Sequence, residues 1–512
     1  MNEQLQLLTT AANILWLLLA GFLVFFMQAG FALVETGFTR AKNVAHTMMM
    51  NMMVFCIGAI GYWICGFAFQ FGAVNFTYPE VNGHAAWAFS PLTLGAWVDA
   101  NGTPLLASGL RIGEQIGILG TSGFFLQGIS LGAAGIFAFF LFQMVFMDTA
   151  ATIPTGSGAE RLKFIGFVIM GFWVSMLIYP IVGNWVWGGG WLANLGRIAG
   201  LGNGAVDFAG SGVVHMTGGA VGLAIAMVLG PRIGRFNADG SANTIPGHNI
   251  PLGVLGAVIL FFGWFGFNPG SAIGLVTPAV LDANGQVTTA ATMIPINLSS
   301  LAAVNTLLAG AAGGFSAMLY MWLFGPSKKP SPSFSVNGIL AGLVAITAPC
   351  AFVTSLGAMV IGLVAGVLVC LVSFALERAR IDDPVGAVPV HFAGGIWGVL
   401  SVGIFASGNP DTAGWNGIAT PVTGIVGGNF VQIIPQVIEV LAIAIWAFGL
   451  SYAFFSLLKR IGVLRSRAED EVAGLDVPEM GERGYAPDVL VPGGQVEPVP
   501  IPAGGVSRAA AG

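Results

Sequence analysis

Two histidines stand in matching surroundings at distant points of the chain. Residues 207–219 read DFAGSGVVHMTGG, and residues 383–395 read DPVGAVPVHFAGG. In both stretches an aspartate lies eight residues before the histidine, and two glycines lie three and four residues after it. An imidazole can donate and accept hydrogen bonds, carry a proton or bind a metal, so His215 and His391 are the first candidates for chemistry.

Three kinds of role are open to these histidines. A single histidine in an apolar helix can serve as an interhelical hydrogen-bonding group, but two in equivalent frames favour a shared pathway. A metal site would need a third ligand from Glu35, Asp148 or a cysteine, and none has supportive spacing. The sequence therefore predicts neither a metal nor another cofactor. Two imidazoles in contact and away from water would share at most one proton, so the pair could offer a donor and an acceptor to a small neutral molecule.

The composition places both histidines in a membrane protein. Of the 512 residues, 55% are hydrophobic and only 8% are charged, whereas ordinary soluble domains have about 25% charged residues. Stretches of about 20 apolar residues recur, and each is long enough to cross a hydrocarbon core of roughly 30 Å. The net charge of −5 is small, and no basic cluster suggests a nucleic-acid partner. No nucleophile–base pair is found, so an intramembrane enzyme is only a weak alternative.

Apolar runs between polar breaks predict eleven transmembrane helices, and the predicted fold class is an all-α integral membrane protein. Lysines and arginines concentrate in the loops after the odd-numbered helices and at the start of the C-terminal tail. The positive-inside rule places these loops and the tail in the cytoplasm, with the N-terminus outside. The predicted spans are 11–36, 46–72, 122–152, 163–186, 208–230, 250–270, 295–323, 334–351, 354–377, 388–406 and 429–458.

The histidine segments belong to the fifth and tenth predicted helices, which run in opposite directions because they are an odd number of spans apart. This arrangement predicts a five-plus-five inverted repeat with one extra helix and a functional site near the midplane. At about 1.5 Å per residue, His215 lies roughly 12 Å in from Asp207, and His391 has the same depth from the other face. The glycines after each histidine share its face, so another backbone can approach there.

Two regions are distinguished by composition. Residues 1–460 form the predicted transmembrane domain, with a polar loop at 73–121, and residues 461–512 form a hydrophilic cytoplasmic tail. The stretch after about residue 486 is rich in Pro, Gly and Ala, which predicts disorder in that part of the tail.

Several motifs, taken together and in order, resemble the ammonium transporter (Amt/Rh) family. They are FLFQMVF, GAERLKF, VWGGGWL, DFAGSGVVH, GWFGFNPGSA, VNTLLA, DDPVGAVPVH and, in the tail, GLDVPEMGERGY. The resemblance covers nearly the whole chain. It implies a homotrimer in the cell (inner or plasma) membrane, with one pore through each eleven-helix subunit, and a possible PII-type regulatory partner at the cytoplasmic tail.

The resemblance also implies an outer ammonium site. Trp187 of VWGGG, Ser271 of FNPGS and Phe146 of FQMVF match the family's aromatic cage with a hydroxyl. A compact cation is attracted to aromatic faces, and a serine oxygen can accept one of its hydrogens. Phe146 and Phe267 match the stacked pair that closes the pore below the cage.

Two further residues near the pore match family positions. Trp264 matches a residue beside the central pore. Asp207 matches an acidic residue near the cage, and we expect a structural role as the N-cap of the fifth helix.

The implied function is transport: ammonium is recruited at the cage, loses its proton, and crosses as ammonia along the twin histidines. A dry apolar pore would exclude potassium, which cannot become neutral by losing a proton. The alternative is an ammonium sensor or regulatory scaffold with little transport.

Two acidic residues depart from the family pattern. Val34-Glu35 stands where Phe-Tyr is common, and we expect Glu35 near the cytoplasmic pore mouth, neutralised by Arg40 or Lys42. Asp148 lies two residues after Phe146, about 200° round a helix, so it faces away from the pore if Phe146 faces into it. We expect Asp148 to make an interhelical hydrogen bond.

Overall fold

Long helices account for most of the chain in this computed structural model. The structure describes residues 2–72, 80–81, 84–85, 97–98, 104–105, 109–112, 116–129, 134–277, 280–281, 287–418 and 420–486. Eleven apolar helices within these ranges are named in chain order: α1 Asn2–Phe38, α2 Ala41–Phe71, α3 Ala134–Gly158, α4 Phe164–Val186, α5 Ser211–Leu229, α6 Ile250–Gly270, α7 Ile294–Leu323, α8 Pro332–Thr347, α9 Ser355–Arg378, α10 Val388–Phe405 and α11 Ile433–Arg460.

Ten of these helices are long and apolar enough to cross a membrane, and α8 is the shorter exception. Its 16 residues span about 24 Å at about 1.5 Å per residue. Burial separates inner helices from outer ones. The most apolar 18-residue stretch is 89% buried in α5 and 83% in α3, but only 33% in α9 and 28% in α11. The outer helices therefore present apolar side chains at the surface of the bundle, whereas α3 and α5 form its interior.

Most predicted spans agree with the helices to within a few residues, but the predicted span 122–152 was wrong at both ends. The helix is Ala134–Gly158, displaced toward the C-terminus. The apolar stretch before it is broken because Gly123 and Gly128 have φ of +82° and +83°, which is a left-handed conformation. The polar end is helical because Thr149 and Thr155 turn their hydroxyls onto main-chain carbonyls of the same helix.

Helices α5 and α10 begin with wider π-helical turns, Ser211–Met216 and Val388–Ala393, and each turn carries one of the paired histidines. Such turns are rare and often occur at functional sites.

The same two helices pack closely and run antiparallel. A Cβ atom added to Gly219 would meet the main chain of Phe392, and one added to Gly395 would lie 2.5 Å from the carbonyl oxygen of Ser211 and 2.8 Å from the nitrogen of Met216. Gly219 and Gly395, each in the middle of its helix, therefore lie against the first turns of the other helix, as antiparallel helices require. Glycine is required at both contacts because the backbones leave no room for a side chain.

Within the described ranges, four two-stranded antiparallel ribbons lie outside the helices, although the sequence predicted an all-α fold with a polar loop at 73–121. Six strands fall within the predicted loop 73–121, and two lie between α6 and α7. They are β1 Glu80–Val81, β2 His84–Ala85, β3 Trp97–Val98, β4 Pro104–Leu105, β5 Gly109–Ile112, β6 Ile116–Gly120, β7 Val280–Leu281 and β8 Val287–Thr289.

The tail residues 461–486 run back over the loops at one end of the bundle, with a short helix at Ala468–Ala473. Asp476 accepts from the main-chain N–H of His46 at 3.0 Å, and the main-chain N–H of Leu475 donates to Asn43 at 2.9 Å. The Tyr485 hydroxyl lies 2.8 Å from Nε2 of His248. The predicted disordered stretch after residue 486 lies outside the described residues.

Buried ion pairs join several of the predicted cytoplasmic loops at the same end. Glu160 pairs with both Arg40 and Arg232, and Arg232 also pairs with Asp382 at 2.8 Å. Burial alone would raise the pKa of Asp382, but the hydrogen bonds and charge of Arg232 hold it well below its usual range. These contacts place the loops after the first, third, fifth and ninth helices on one face, as the charge pattern predicts.

Candidate functional site

His215 and His391 meet in the interior of the bundle. Their Nδ1 atoms are 3.2 Å apart, and their ring centroids are 5.3 Å apart at an interplanar angle of 23°. One imidazole therefore donates to the other along a single shared hydrogen bond. Nε2 of His215 is buried without a hydrogen-bond partner among the described residues, so it is free to bond a small molecule.

One aspartate caps the start of each of the two turns that carry a histidine. Asp207 accepts the main-chain N–H groups of the four residues 210–213 at 2.7–3.1 Å. Asp383 accepts the N–H of Val388 at 2.7 Å. Both carboxylates satisfy donors at a helix start that would otherwise lack partners. Burial raises the pKa of Asp207 to about 6 even though these four N–H groups oppose the shift.

A continuous series of ring contacts, here named the ring ladder, runs from Trp187 to the histidines. Phe146 meets the edge of Trp187 at a centroid distance of 6.1 Å and stacks on Phe267 at 3.9 Å. Phe267 in turn lies 5.4 Å from the ring of His215, which continues to His391. The structure thus brings together five of the predicted site residues in one line.

Trp264 lies beside this line. Its indole stacks on His215 at a centroid distance of 5.2 Å, and its Nε1 donates to the hydroxyl of Thr347 at 2.9 Å. The hydrogen bond fixes the indole, so Trp264 supports one face of the His215 ring.

The three residues of the predicted cage, Trp187, Phe146 and Ser271, are all buried. Nε1 of Trp187 donates to the carbonyl of Asp207 at 2.7 Å, which fixes the indole plane. Ser271 stands apart from the ring ladder, and its hydroxyl donates to the carbonyl of Phe267 at 2.9 Å. This bond uses the hydroxyl hydrogen and leaves the oxygen lone pairs as acceptors, which is what a cation such as ammonium requires.

Below His391 a narrow cavity of about 20 Å³ lies against Phe31, Glu35 and the imidazole, which is about the space of one water molecule. A second, larger cavity of about 610 Å³ shares three lining residues with it: Asn337, Val385 and Gly386. Arg232 and Asp382 line this larger cavity, which we name the inner vestibule. The narrow cavity therefore lies between the histidines and the charged end of the bundle.

The expected partners of Glu35 were wrong. Arg40 pairs with Glu160, and the ammonium group of Lys42 donates to the carbonyls of Glu471 and Val472. Both cations are held by these other oxygen acceptors, so neither pairs with the carboxyl of Glu35.

The hydrogen bond expected for Asp148 is also missing at one carboxylate oxygen. Oδ1 is buried without a partner among the described residues. The neighbouring residue on α2 is Gly58, whose added Cβ would lie 3.9 Å from Oδ1. Because glycine has no side-chain donor, the contact cannot supply a hydrogen bond.

Sequence reasoning missed two aromatic residues beside the site. The ring centroids of Phe31 and His391 are 6.2 Å apart. Phe31 lies four residues before Glu35 on α1, and this spacing, which places both side chains on one face of the helix, could have revealed it. Trp415 donates to the carbonyl of Ser271 at 3.1 Å. It comes from the loop between α10 and α11, where no periodic pattern points to the site.

Comparison with known sequences gives consistent matches. Residues 15–485 match the profile described as the Ammonium Transporter Family. The chain is 41% identical over 476 residues to ammonium transporter Amt2 of Archaeoglobus fulgidus, covering 92% of this chain and 88% of that protein. It is 34% identical over 490 residues to ammonium transporter 1 member 3 of Solanum lycopersicum, covering 94% of each chain.

Solved structures give the same fold. A structure titled "Sensor Amt Protein" matches with a TM-score of 0.70 and 33% identity, covering 92% of this chain and 99% of that one. Mep2 of Candida albicans matches with a TM-score of 0.70 at 24% identity, covering 90% and 87%.

Proposed function

The chain belongs to the ammonium transporter family and is a multi-pass membrane protein, and we propose that it conducts ammonia along the paired histidines after ammonium has been recruited and deprotonated at the cage. The observation that carries the proposal is the buried His215–His391 contact of 3.2 Å at the end of the ring ladder. A hydrogen-bonded, uncharged pair suits a neutral polar molecule better than a cation.

Recruitment falls to Trp187, Phe146 and Ser271. An ammonium ion beside the indole gains a cation–π attraction, and the Ser271 oxygen accepts one of its hydrogens. Below this point the rings of Phe146 and Phe267 are buried and stack at a centroid distance of 3.9 Å. A charged ion that passes between them would lose its hydration without compensation. Ammonium can transfer one proton to water on the outer side and continue as ammonia, whereas potassium has no proton to give, and this difference provides selectivity.

Passage falls to the two imidazoles. Nε2 of His215 bonds the arriving ammonia, and the shared Nδ1 contact holds the two rings together at an interplanar angle of 23°. Trp264 holds the first ring in place. Ammonia then reaches the cavity below His391 and regains a proton before it enters the inner vestibule.

The assembly is part of the same proposal. We propose eleven spans, with α8 as the eleventh, in a five-plus-five inverted repeat with one extra helix. The N-terminus is outside, and the tail 461–512 is cytoplasmic. Three subunits form a homotrimer in the cell membrane, and a PII-type protein docks on the tail. The matching caps of Asp207 and Asp383 and the reciprocal glycine contacts of α5 and α10 support the inverted repeat.

Uptake of labelled methylammonium by proteoliposomes tests the proposal. Purified protein should give saturable uptake above that of empty liposomes. Trp187→Leu should raise the concentration for half-maximal uptake about fivefold, because the cation–π contribution is roughly 1 kcal/mol. Uptake no greater than that of empty liposomes would contradict transport.

A sensor with little transport is the second candidate, and the likeness to the structure titled "Sensor Amt Protein" is the observation that favours it. The same assay separates the two functions. A sensor would bind ammonium, seen by calorimetry or as a change in tryptophan fluorescence, without saturable uptake.

A further inference from the structure

We propose that the carboxyl of Glu35 gives ammonia its proton in the narrow cavity below His391. This inference rests on the proposed transport function. It assigns a role to a side chain that neither the cage nor the histidine pair uses.

The first observation is the position of Glu35. Its side chain lines the same cavity as His391, on the side from which a molecule would leave the histidine pair. The residue is only 3% exposed. Because the cavity holds about 20 Å³, one ammonia fits and a hydrated ion does not.

The second observation is the absence of a cation beside the carboxyl. None of the ion pairs among the described residues includes Glu35. Its hydrogen-bond partners are uncharged, and the charged group that acts on it from nearby, Asp383, is itself acidic. Nδ2 of Asn51 donates to Oε2 at 2.8 Å, and the Thr155 hydroxyl lies 2.8 Å from Oε1. An isolated buried carboxylate is costly, and a protonated carboxyl or an arriving ammonium ion removes that cost.

The third observation concerns the hydrogen bonds of the Thr155 hydroxyl, which has one hydrogen to donate. The single hydroxyl hydrogen of Thr155 faces acceptors on two residues: the carbonyl of Thr152 at 2.5 Å, and the carboxyl oxygens of Glu35 at 2.8 Å and 3.0 Å. If that hydrogen goes to the carbonyl, which has no hydrogen of its own, Glu35 must supply the one for the second bond. The geometry is therefore satisfied by a protonated carboxyl, whose proton is available to a base in the cavity.

The reaction is a simple proton transfer. The O–H bond of the carboxyl breaks as a fourth N–H bond forms on ammonia, which leaves a carboxylate and an ammonium ion. The ion departs past Asn337 and Gly386 into the inner vestibule, and vestibule water returns a proton to Glu35 and becomes hydroxide. The net change is protonation of ammonia by water.

Three variants in the methylammonium uptake assay test the assignment. Glu35→Gln keeps the size and one oxygen acceptor but cannot donate an acidic proton. We expect its maximal rate to fall at least about tenfold, as for loss of a general acid, while the concentration for half-maximal uptake is unchanged because the outer cage is intact. Asp148→Asn, which neutralises a buried carboxyl away from the pore, should leave the rate unchanged.

Thr155→Val separates proton donation from a structural tie between helices. It removes a hydrogen-bond partner but keeps the carboxyl, so we expect most of the uptake to remain even if Glu35→Gln does not fold. Loss of uptake in Thr155→Val, or a wild-type maximal rate in Glu35→Gln, would overturn the inference. If neither wild type nor Asp148→Asn exceeds empty liposomes, the proposed function itself fails instead.

Discussion

Asp207 shows at the residue scale how a single side chain determines the position of a functional group eight residues away. Its carboxylate accepts hydrogen bonds from four consecutive main-chain N–H groups at the start of α5. Its main-chain carbonyl accepts a hydrogen bond from the indole of Trp187. Asp207 therefore orients both the turn that carries His215 and the indole of Trp187.

Replacing Asp207 should destabilise the protein in a graded and pH-dependent way. Asp207→Ala leaves buried N–H groups without an acceptor and should cost about 2 kcal/mol or more, and Asp207→Asn should cost less. Burial raises the folded pKa to about 6 from 3.8, so the folded protein binds more protons than the unfolded chain between these values. Wild type should accordingly lose stability relative to Asp207→Asn as the pH rises from 4 to 6.

Thermal unfolding of the detergent-solubilised variants at several pH values measures both effects. Equal melting temperatures for wild type and Asp207→Ala would show that the cap contributes nothing. A stability difference from Asp207→Asn that does not vary with pH would contradict the shifted titration.

Single residues differed in how far the sequence could predict them. The histidine pair was predictable because the same spacing occurs twice. The environment of Glu35 was not, since Asn51 and Thr155 come from two other helices and carry no motif. The assumed ion pair with Arg40 or Lys42 failed because these cations found nearer oxygen acceptors.

At the scale of elements, the contact of α5 with α10 determines the distance between the two imidazoles. Gly395 packs directly on the main chain of Ser211 and Met216, and Gly219 packs on Phe392. No side chain separates the helices there, so the histidines can share a hydrogen bond.

Gly395→Ala should therefore impair transport without touching the pore directly. The added methyl group would lie 2.5 Å from the Ser211 oxygen, so the helices must move apart and the histidine contact must lengthen. We expect lower methylammonium uptake by folded protein. Gly449→Ala is the matched control because a Cβ on this helical glycine of α11 meets nothing within 4 Å. Equal uptake by both variants would refute the role of the close contact.

The ends of the elements were predictable where turn residues and hydrophobicity agree. The predicted span 250–270 coincides with α6, which begins after the capping side chain of Asn249 and has a proline in its first turn. The span at α3 was misplaced because apolar residues continue through a glycine-broken turn, and because threonine hydroxyls bond within the helix. Hydrophobicity alone contains neither piece of information.

At the scale of the whole molecule, the described residues form a series of contacts and cavities, which we propose to be the conduction path. The stacked rings of Phe146 and Phe267 lead to the histidine pair, then to the narrow cavity at Glu35, and finally to the inner vestibule lined by Arg232 and Asp382. Composition and charge pattern were enough to predict a helical membrane protein and to group its basic loops on one face. The short ribbons were not predictable, because strands of two to five residues are too short to show an alternation of apolar and polar residues.

The most direct test of the conducting role is labelled methylammonium uptake by proteoliposomes containing the His215→Ala, His391→Ala double variant. His46→Ala is the control, since His46 is a buried histidine of α2 with both ring nitrogens unpartnered among the described residues and is not part of the ring ladder. We predict that the double variant falls to the level of empty liposomes while the control retains uptake. Wild-type uptake by a folded double variant would contradict the account.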